Sequence, residues 1–232
     1  MPTPWFDNIR RTHQLTVFAT SAVTDGPWAG VFLRALREFN RLSVAMKLGV
    51  TFVPSTTPPD PTSMTSGANV QFSAANGTVK EVVLKNKFGD VVSEFSRDFD
   101  GSQMHGLTIP PTWNNDQGER QFRAYIYVPS NPLVNAMAAN SVERQRPVGD
   151  GVKLFIAVHE LIHACGLGQG DHSPDSSPDF FIPQPQPSPG NTPSKDKLRI
   201  RLQPFRALPD DPPAQPLFLT QRTADMIRSI WN

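Results

Sequence analysis

Cysteine is almost absent from this chain. The single residue, Cys165, cannot form an internal disulfide or build a multi-cysteine zinc knuckle, and it fits a reducing compartment. An excess of charge of one sign is lacking too. Lysine and arginine total 22 against 21 acidic residues, no long run of either sign occurs, and nucleic acid is therefore not an expected partner. No apolar stretch approaches the roughly 20 residues of a membrane span, so no membrane partner is expected either. The opening residues, MPTPWFDNIRRTHQ, hold no apolar run of about seven or more after their charges. Neither a signal peptide nor a transit peptide is visible there, which favours action inside a cell.

Proline, in contrast, is abundant. Of 24 prolines, half lie between Pro174 and Pro216, and proline's missing amide proton forbids a long helix there. The apolar interruptions FFIP and LRIRLQPFRAL are more than a solvated linker needs, so the segment reads as an ordered, irregular wrapping loop. Before it, HQLTVFATSA, VTFVP, ANVQFSA and QFRAYIYVP have strand composition, and KEVVLKNKFGDVVSEFSRDF alternates on either side of a turn at KFGD. HGLTIP, residues 105–110, ends in proline, which confines it to an edge or a strand end. Trp28, Phe32, Leu36, Phe39, Leu42 and Met46 recur at helical spacing, with Asp25 as the expected N-cap, Pro27 in the first turn and Gly49 as the stop. LTQRTADMIRSIWN gives a closing helix capped by Thr220, with Ala224, Ile227, Ile230 and Trp231 on one face. The expected fold class is α+β: a mixed twisted sheet, a long backing helix, a histidine-bearing helix and a small irregular subdomain ending in a helix. Residues 1–166 would form the first subdomain and 167–232 the proline-rich second, in one domain overall.

The stretch AVHELIHACGLGQGDHS, residues 157–173, concentrates three of the five histidines. From Val152 to Cys165 there is no proline or glycine, and Leu154, Val158, Leu161, Ile162 and Cys165 share a face. His159 and His163 are four apart, about 40° around the axis and one turn apart along it, so two imidazoles can reach one ion. Glu160 is offset far enough not to bind that ion, yet close enough to reach a water on it. Gly166 can adopt the left-handed conformation that ends a helix, and Gly168 and Gly170 let the chain turn back. That turn offers a third ligand: His172 first, Asp171 second, Gln169 or a more distant residue last, because a neutral amide binds zinc poorly. Three protein ligands plus water is the arrangement of catalytic zinc. Cys165 lies about 200° around the helix from His163 and is expected to pack. His13 and His105 have no ligand-like spacing.

These residues resemble the metzincin clan of zinc peptidases, whose extended motif is His-Glu-x-x-His-x-x-Gly-x-x-His. HELIHACG, residues 159–166, matches its first eight positions; Gln169 stands where the third histidine is usual, and His172 follows three residues later. GLGQGDHS is similar to the matrixin Gly-Leu-Gly-His-Ser ending with an insertion, and LTQRTADMIRSIWN resembles the matrixin closing helix. Two features of the clan have no counterpart after His172: a methionine before the closing helix and a tyrosine. SPDFFIPQP, with Ile182, is the candidate for the turn that the methionine would occupy.

The expected activity is that of a zinc-dependent endopeptidase. His159, His163 and His172 would hold Zn2+, Glu160 would serve as general base, and an extended peptide would add as a strand to the edge offered by HGLTIP. The rivals are a zinc-binding structural or interaction protein, a zinc hydrolase of non-peptide amides or esters, and a metal-free adaptor.

Overall fold

β-branched and aromatic runs form strands and the two apolar stripes form helices, as local patterning dictates. The computed structural model describes residues 2–103, 105–115, 118–137, 143–168, 171, 180–181 and 217–232. In chain order the elements are α1 (Asp7–Arg10), β1 (Gln14–Ala19), α2 (Ser21–Thr24), α3 (Ala29–Met46), β2 (Thr51–Ser55), β3 (Val70–Ala75), β4 (Gly77–Lys85), β5 (Val91–Phe99), β6 (Leu107–Ile109), β7 (Thr112–Asn115), β8 (Gly118–Gln121), β9 (Ala124–Pro129), β10 (Leu133–Met137), β11 (Glu143–Pro147), α4 (Asp150–Ala164), β12 (Phe180–Phe181), β13 (Phe218–Leu219) and α5 (Gln221–Trp231). The arrangement is mixed α and β. Among the described residues no helix is long and apolar enough to cross a membrane.

Among the described residues five strands make the central sheet, in the order β2-β1-β3-β9-β6. β2, β1, β3 and β9 run parallel, while β6 pairs antiparallel with β9 and forms one edge. β9 lacks polar alternation because both of its faces are covered. Ala124, Ile126 and Val128 face a core shared with α3 and α4, whereas Tyr125 and Tyr127 face a second core beneath the β4–β5 hairpin. Phe95 of that hairpin packs edge-on against Tyr125, ring centroids 5.4 Å apart. On the first face, α3 buries Val31, Phe32, Ala35, Leu36, Phe39 and Leu42. Phe39 meets Phe52 of β2 edge-on at 4.6 Å.

The expected start of α3 is corrected. Asp25 closes the short helix α2, and α3 follows Trp28 with no side-chain cap. The fully buried Trp28 indole donates to the Pro129 carbonyl at 2.8 Å, an anchor that sets the entry of the helix in place of a cap. At the other end Lys47, φ 53°, takes the left-handed position, and Gly49 lies two residues beyond.

QFRAYIYVP is not one strand, as composition suggested. Gln121 belongs to β8, and β9 begins at Ala124. Between them Arg123 is 1% exposed. Its guanidinium donates to four backbone carbonyls, Val83 at 2.9 Å, Asp60 at 2.9 Å, Ser63 at 2.7 Å and Ser66 at 3.4 Å, tying the 60–66 loop and the hairpin to the sheet. The hairpins β7–β8 and β10–β11 were not anticipated. In the closing helix α5, Thr220 accepts from the Thr223 amide, and Ala224, Ile227, Ile230 and Trp231 are buried, as the sequence indicates. Most of the proline-rich segment, including Ile182, lies outside the described residues; within it Phe180–Phe181 pairs antiparallel with Phe218–Leu219.

Candidate metal centre

Helix α4 is held at both ends and along its inner face. Asp150 sits in the first turn, where the helix dipole favours negative charge. Leu154, Val158, Leu161, Ile162 and Cys165 are all buried, so the expected apolar face is the packed one. The Cys165 thiol donates to the Leu161 carbonyl at 3.4 Å, and burial pushes its pKa well up, which suits packing and not reactivity.

The last carbonyls of a helix lack internal partners, and here residues from both ends of the chain supply donors. Trp5 Nε1 donates to Ala164 O and Trp231 Nε1 to Cys165 O, each at 2.9 Å, and the Thr3 amide donates to Gly166 O at 2.8 Å. Gly166 has φ 106°, and a Cβ there would stand 2.4 Å from the Thr3 carbonyl. Strain and clash coincide, so Gly166→Ala is expected to cost about 2–4 kcal/mol, a fall in Tm of roughly 5–10 °C for a chain of this length. A thermal melt checks this. The sequence alone did not assign Trp5 or Trp231 to the helix end, because the contact depends on how the two chain ends come together.

The two helix histidines converge. His159 Nε2 and His163 Nε2 are 3.1 Å apart, with ring centroids separated by 4.8 Å and planes at 79°. Phe155, one turn earlier, stacks on the His159 ring at 6.3 Å. His163 Nδ1 lies 2.9 Å from the Leu167 carbonyl. A carbonyl only accepts, so Nδ1 carries the proton and the lone pair of neutral His163 sits on Nε2, facing His159. This is the support that orients a metal-binding imidazole. With Zn–N distances of about 2.0–2.1 Å, a separation of 3.1 Å corresponds to an N–Zn–N angle of roughly 100°, within reach of tetrahedral coordination. The pair fits a zinc ion by spacing, donor type and tautomer.

Beyond α4, Gly168 and Asp171 are hydrogen-bonded to each other. Asp171 is buried; its Oδ2 accepts from the Gly168 amide at 2.8 Å, and its own amide donates to the Gly168 carbonyl at 3.1 Å. Among the described residues no group of three or more His, Cys, Asp or Glu side chains is gathered as a metal cluster. His172 and Gln169 lie outside the described residues. His13 and His105 are exposed, and His13 Nδ1 contacts the Gly49 carbonyl at 2.7 Å.

Glu160 is 3% exposed and faces the edge strand. Its Oε2 accepts from the Thr108 hydroxyl at 2.7 Å, and the same hydroxyl lies 3.2 Å from the Glu160 carbonyl. Burial pushes the carboxyl up to about 7, while the hydrogen bonds from the Thr108 side chain and the Gly106 backbone pull the other way. A carboxyl balanced near neutrality is suited to take up and give back a proton.

The chain matches no protein-family model and no curated protein sequence. The functional reading therefore rests on the helix and its surroundings. A lone buried histidine is ordinarily a packing residue; two with facing Nε2 atoms, one of them oriented by a carbonyl, next to a buried carboxyl, form a chemical unit.

Proposed function

We propose that the protein is a zinc-dependent endopeptidase of metzincin-like type, with His159 and His163 binding the ion, His172 as third ligand and Glu160 as general base. The observation that carries this reading is the convergence of the two Nε2 atoms at 3.1 Å, with His163 Nδ1 fixed on Leu167. When bound, zinc would supply Lewis acidity, lowering the pKa of a coordinated water towards about 7 and polarising a scissile carbonyl. The chain's own groups do the rest. His163 is held in the tautomer that presents Nε2. Glu160 accepts the proton of the attacking water on its carboxylate and delivers it to the departing amine. Asp171, the residue before the proposed third ligand in sequence, accepts from the Gly168 amide at 2.8 Å.

The substrate in this reading is a peptide in extended form. Among the described residues β6 is an edge strand whose one sheet neighbour is β9, and Thr108 on β6 touches Glu160. A peptide strand added to the free edge of β6 would run past the base, with main-chain hydrogen bonds giving affinity and alternate side chains giving selectivity.

The test is metal analysis of the purified protein followed by cleavage of a peptide library with and without chelator. The expected outcome is about one zinc per chain and cleavage that chelation abolishes and added zinc restores. Zinc without cleavage of any peptide would favour a structural site, and cleavage of amide or ester compounds but not peptides would favour the non-peptide hydrolase. Absence of zinc, with activity indifferent to chelator, would refute the proposal.

A further inference from the structure

Successive residues of a strand face opposite sides of the sheet. In and just before β6 this alternation separates two functions. Leu107 and Ile109 pack into the second core with Tyr125, Tyr127 and the β4–β5 hairpin. Gly106 and Thr108 belong to the other face, towards α4, and both meet Glu160. At 106 there is room only for hydrogen: a Cβ would lie 2.6 Å from Glu160 Cγ and 2.8 Å from both Cδ and Oε1. Gly106 has no positive φ, so the absence of a side chain there answers to Glu160 and not to backbone conformation. At 108 the side chain is a hydroxyl donating to Oε2 at 2.7 Å.

From this juxtaposition we infer that Gly106 and Thr108 are positioning residues for the proton-transfer group: the strand that would receive substrate also fixes the rotamer of Glu160. The inference rests on the peptidase reading above and deepens it by naming the edge strand as a control on the base. Gly106 provides the space into which the carboxylate folds. Thr108 holds the carboxylate there, and because a hydroxyl both donates and accepts, the contact survives whether or not Glu160 carries a proton. Peptide seated along the free edge of β6 would thereby bear on the placement of the base through the same three residues, 106 to 108. A purely structural account makes Gly106 a close-packing glycine and Thr108 a satisfied polar residue, and it predicts effects on stability alone.

The experiment uses the full chain. Thr108→Val keeps shape and removes the hydroxyl, Thr108→Ser restores it, and Gly106→Ala intrudes on the carboxylate. Each variant is loaded with zinc and assayed with a quenched fluorogenic peptide selected from the library on the parent protein. Thr108→Val is expected to lower kcat by roughly 10- to 100-fold, the scale of one hydrogen bond to a charged group, with KM and zinc content unchanged. Thr108→Ser returns to within about threefold of the parent, and Gly106→Ala falls in the same direction as Thr108→Val. The second readout uses zinc-free protein and no activity. In a double-mutant cycle read from denaturant midpoints, Thr108→Val shifts the midpoint less in the Glu160→Ala background than in the parent.

An additive cycle, or a Thr108→Val protein with parental kcat, overturns the inference while the peptidase reading stands. A Thr108→Ser protein that fails like Thr108→Val overturns it as well. A parent that neither binds zinc nor cleaves peptide overturns both, and the first assay shows this before any variant is made.

Discussion

Glu160→Gln should leave zinc bound and reduce peptide cleavage by at least about 10²–10⁴-fold, the range that positioned general acid–base catalysis contributes. The substitution keeps volume and the capacity to accept from Thr108, so the 2.7 Å contact to the edge strand has a surviving partner. What it removes is the group able to take a proton. Because Glu160 is offset from the histidine pair around α4, zinc content should remain about one per chain. Measured together, kcat/KM and zinc stoichiometry separate chemistry from assembly. Parental cleavage in this variant would remove Glu160 from the mechanism. Loss of zinc along with activity would make Glu160 part of the metal's own support.

His163→Ala should act on the other half of the site. His159 Nε2 then loses the imidazole nitrogen 3.1 Å away, and zinc affinity is expected to fall by more than the 10- to 100-fold typical of losing only an outer partner of a metal ligand. The Leu167 carbonyl also loses the donor 2.9 Å away, in a buried position, which costs about 1–3 kcal/mol in addition. Competition with a chromophoric chelator gives the affinity and a denaturant series gives the stability. His13→Ala, at an exposed turn remote in sequence from the motif, should change neither zinc content nor cleavage. Zinc affinity equal to the parent's in His163→Ala would place the ion elsewhere.

What the sequence revealed followed from periodicity. The apolar face of α4 and the left-handed conformation at Gly166 needed only local spacing and a glycine. The edge position of HGLTIP followed from proline's missing donor, and β6 lies at the edge of the sheet. Thr220 caps α5 as a threonine before an apolar stripe should. The failures have a common cause: a distant contact overrode a local signal. Asp25 looked like a helix cap, yet the buried Trp28 indole on Pro129 decides where α3 starts. QFRAYIYVP alternated like one strand, yet Arg123 leaves the ladder to bind the carbonyls of a loop some 60 residues earlier in the chain. TWNN and GERQ are too polar to announce β7 and β8.

The site divided in the same way. His159, Glu160 and His163 were legible because one helix carries them all. Gly106 and Thr108 were not, since nothing in HGLTIP says that its small and hydroxylated residues meet the distant carboxyl of Glu160. The indole donors at the end of α4 were equally hidden, being contributed from opposite ends of the sequence.

In the proposed centre the two imidazoles share one ion. Zinc-edge X-ray absorption, or anomalous diffraction from crystals of the zinc-loaded protein, measures this most directly. One zinc per chain is expected, with His159 Nε2 and His163 Nε2 both at about 2.0–2.1 Å from it. Zinc bound to other residues, or none bound while the two nitrogens stay 3.1 Å apart sharing a proton, would contradict it.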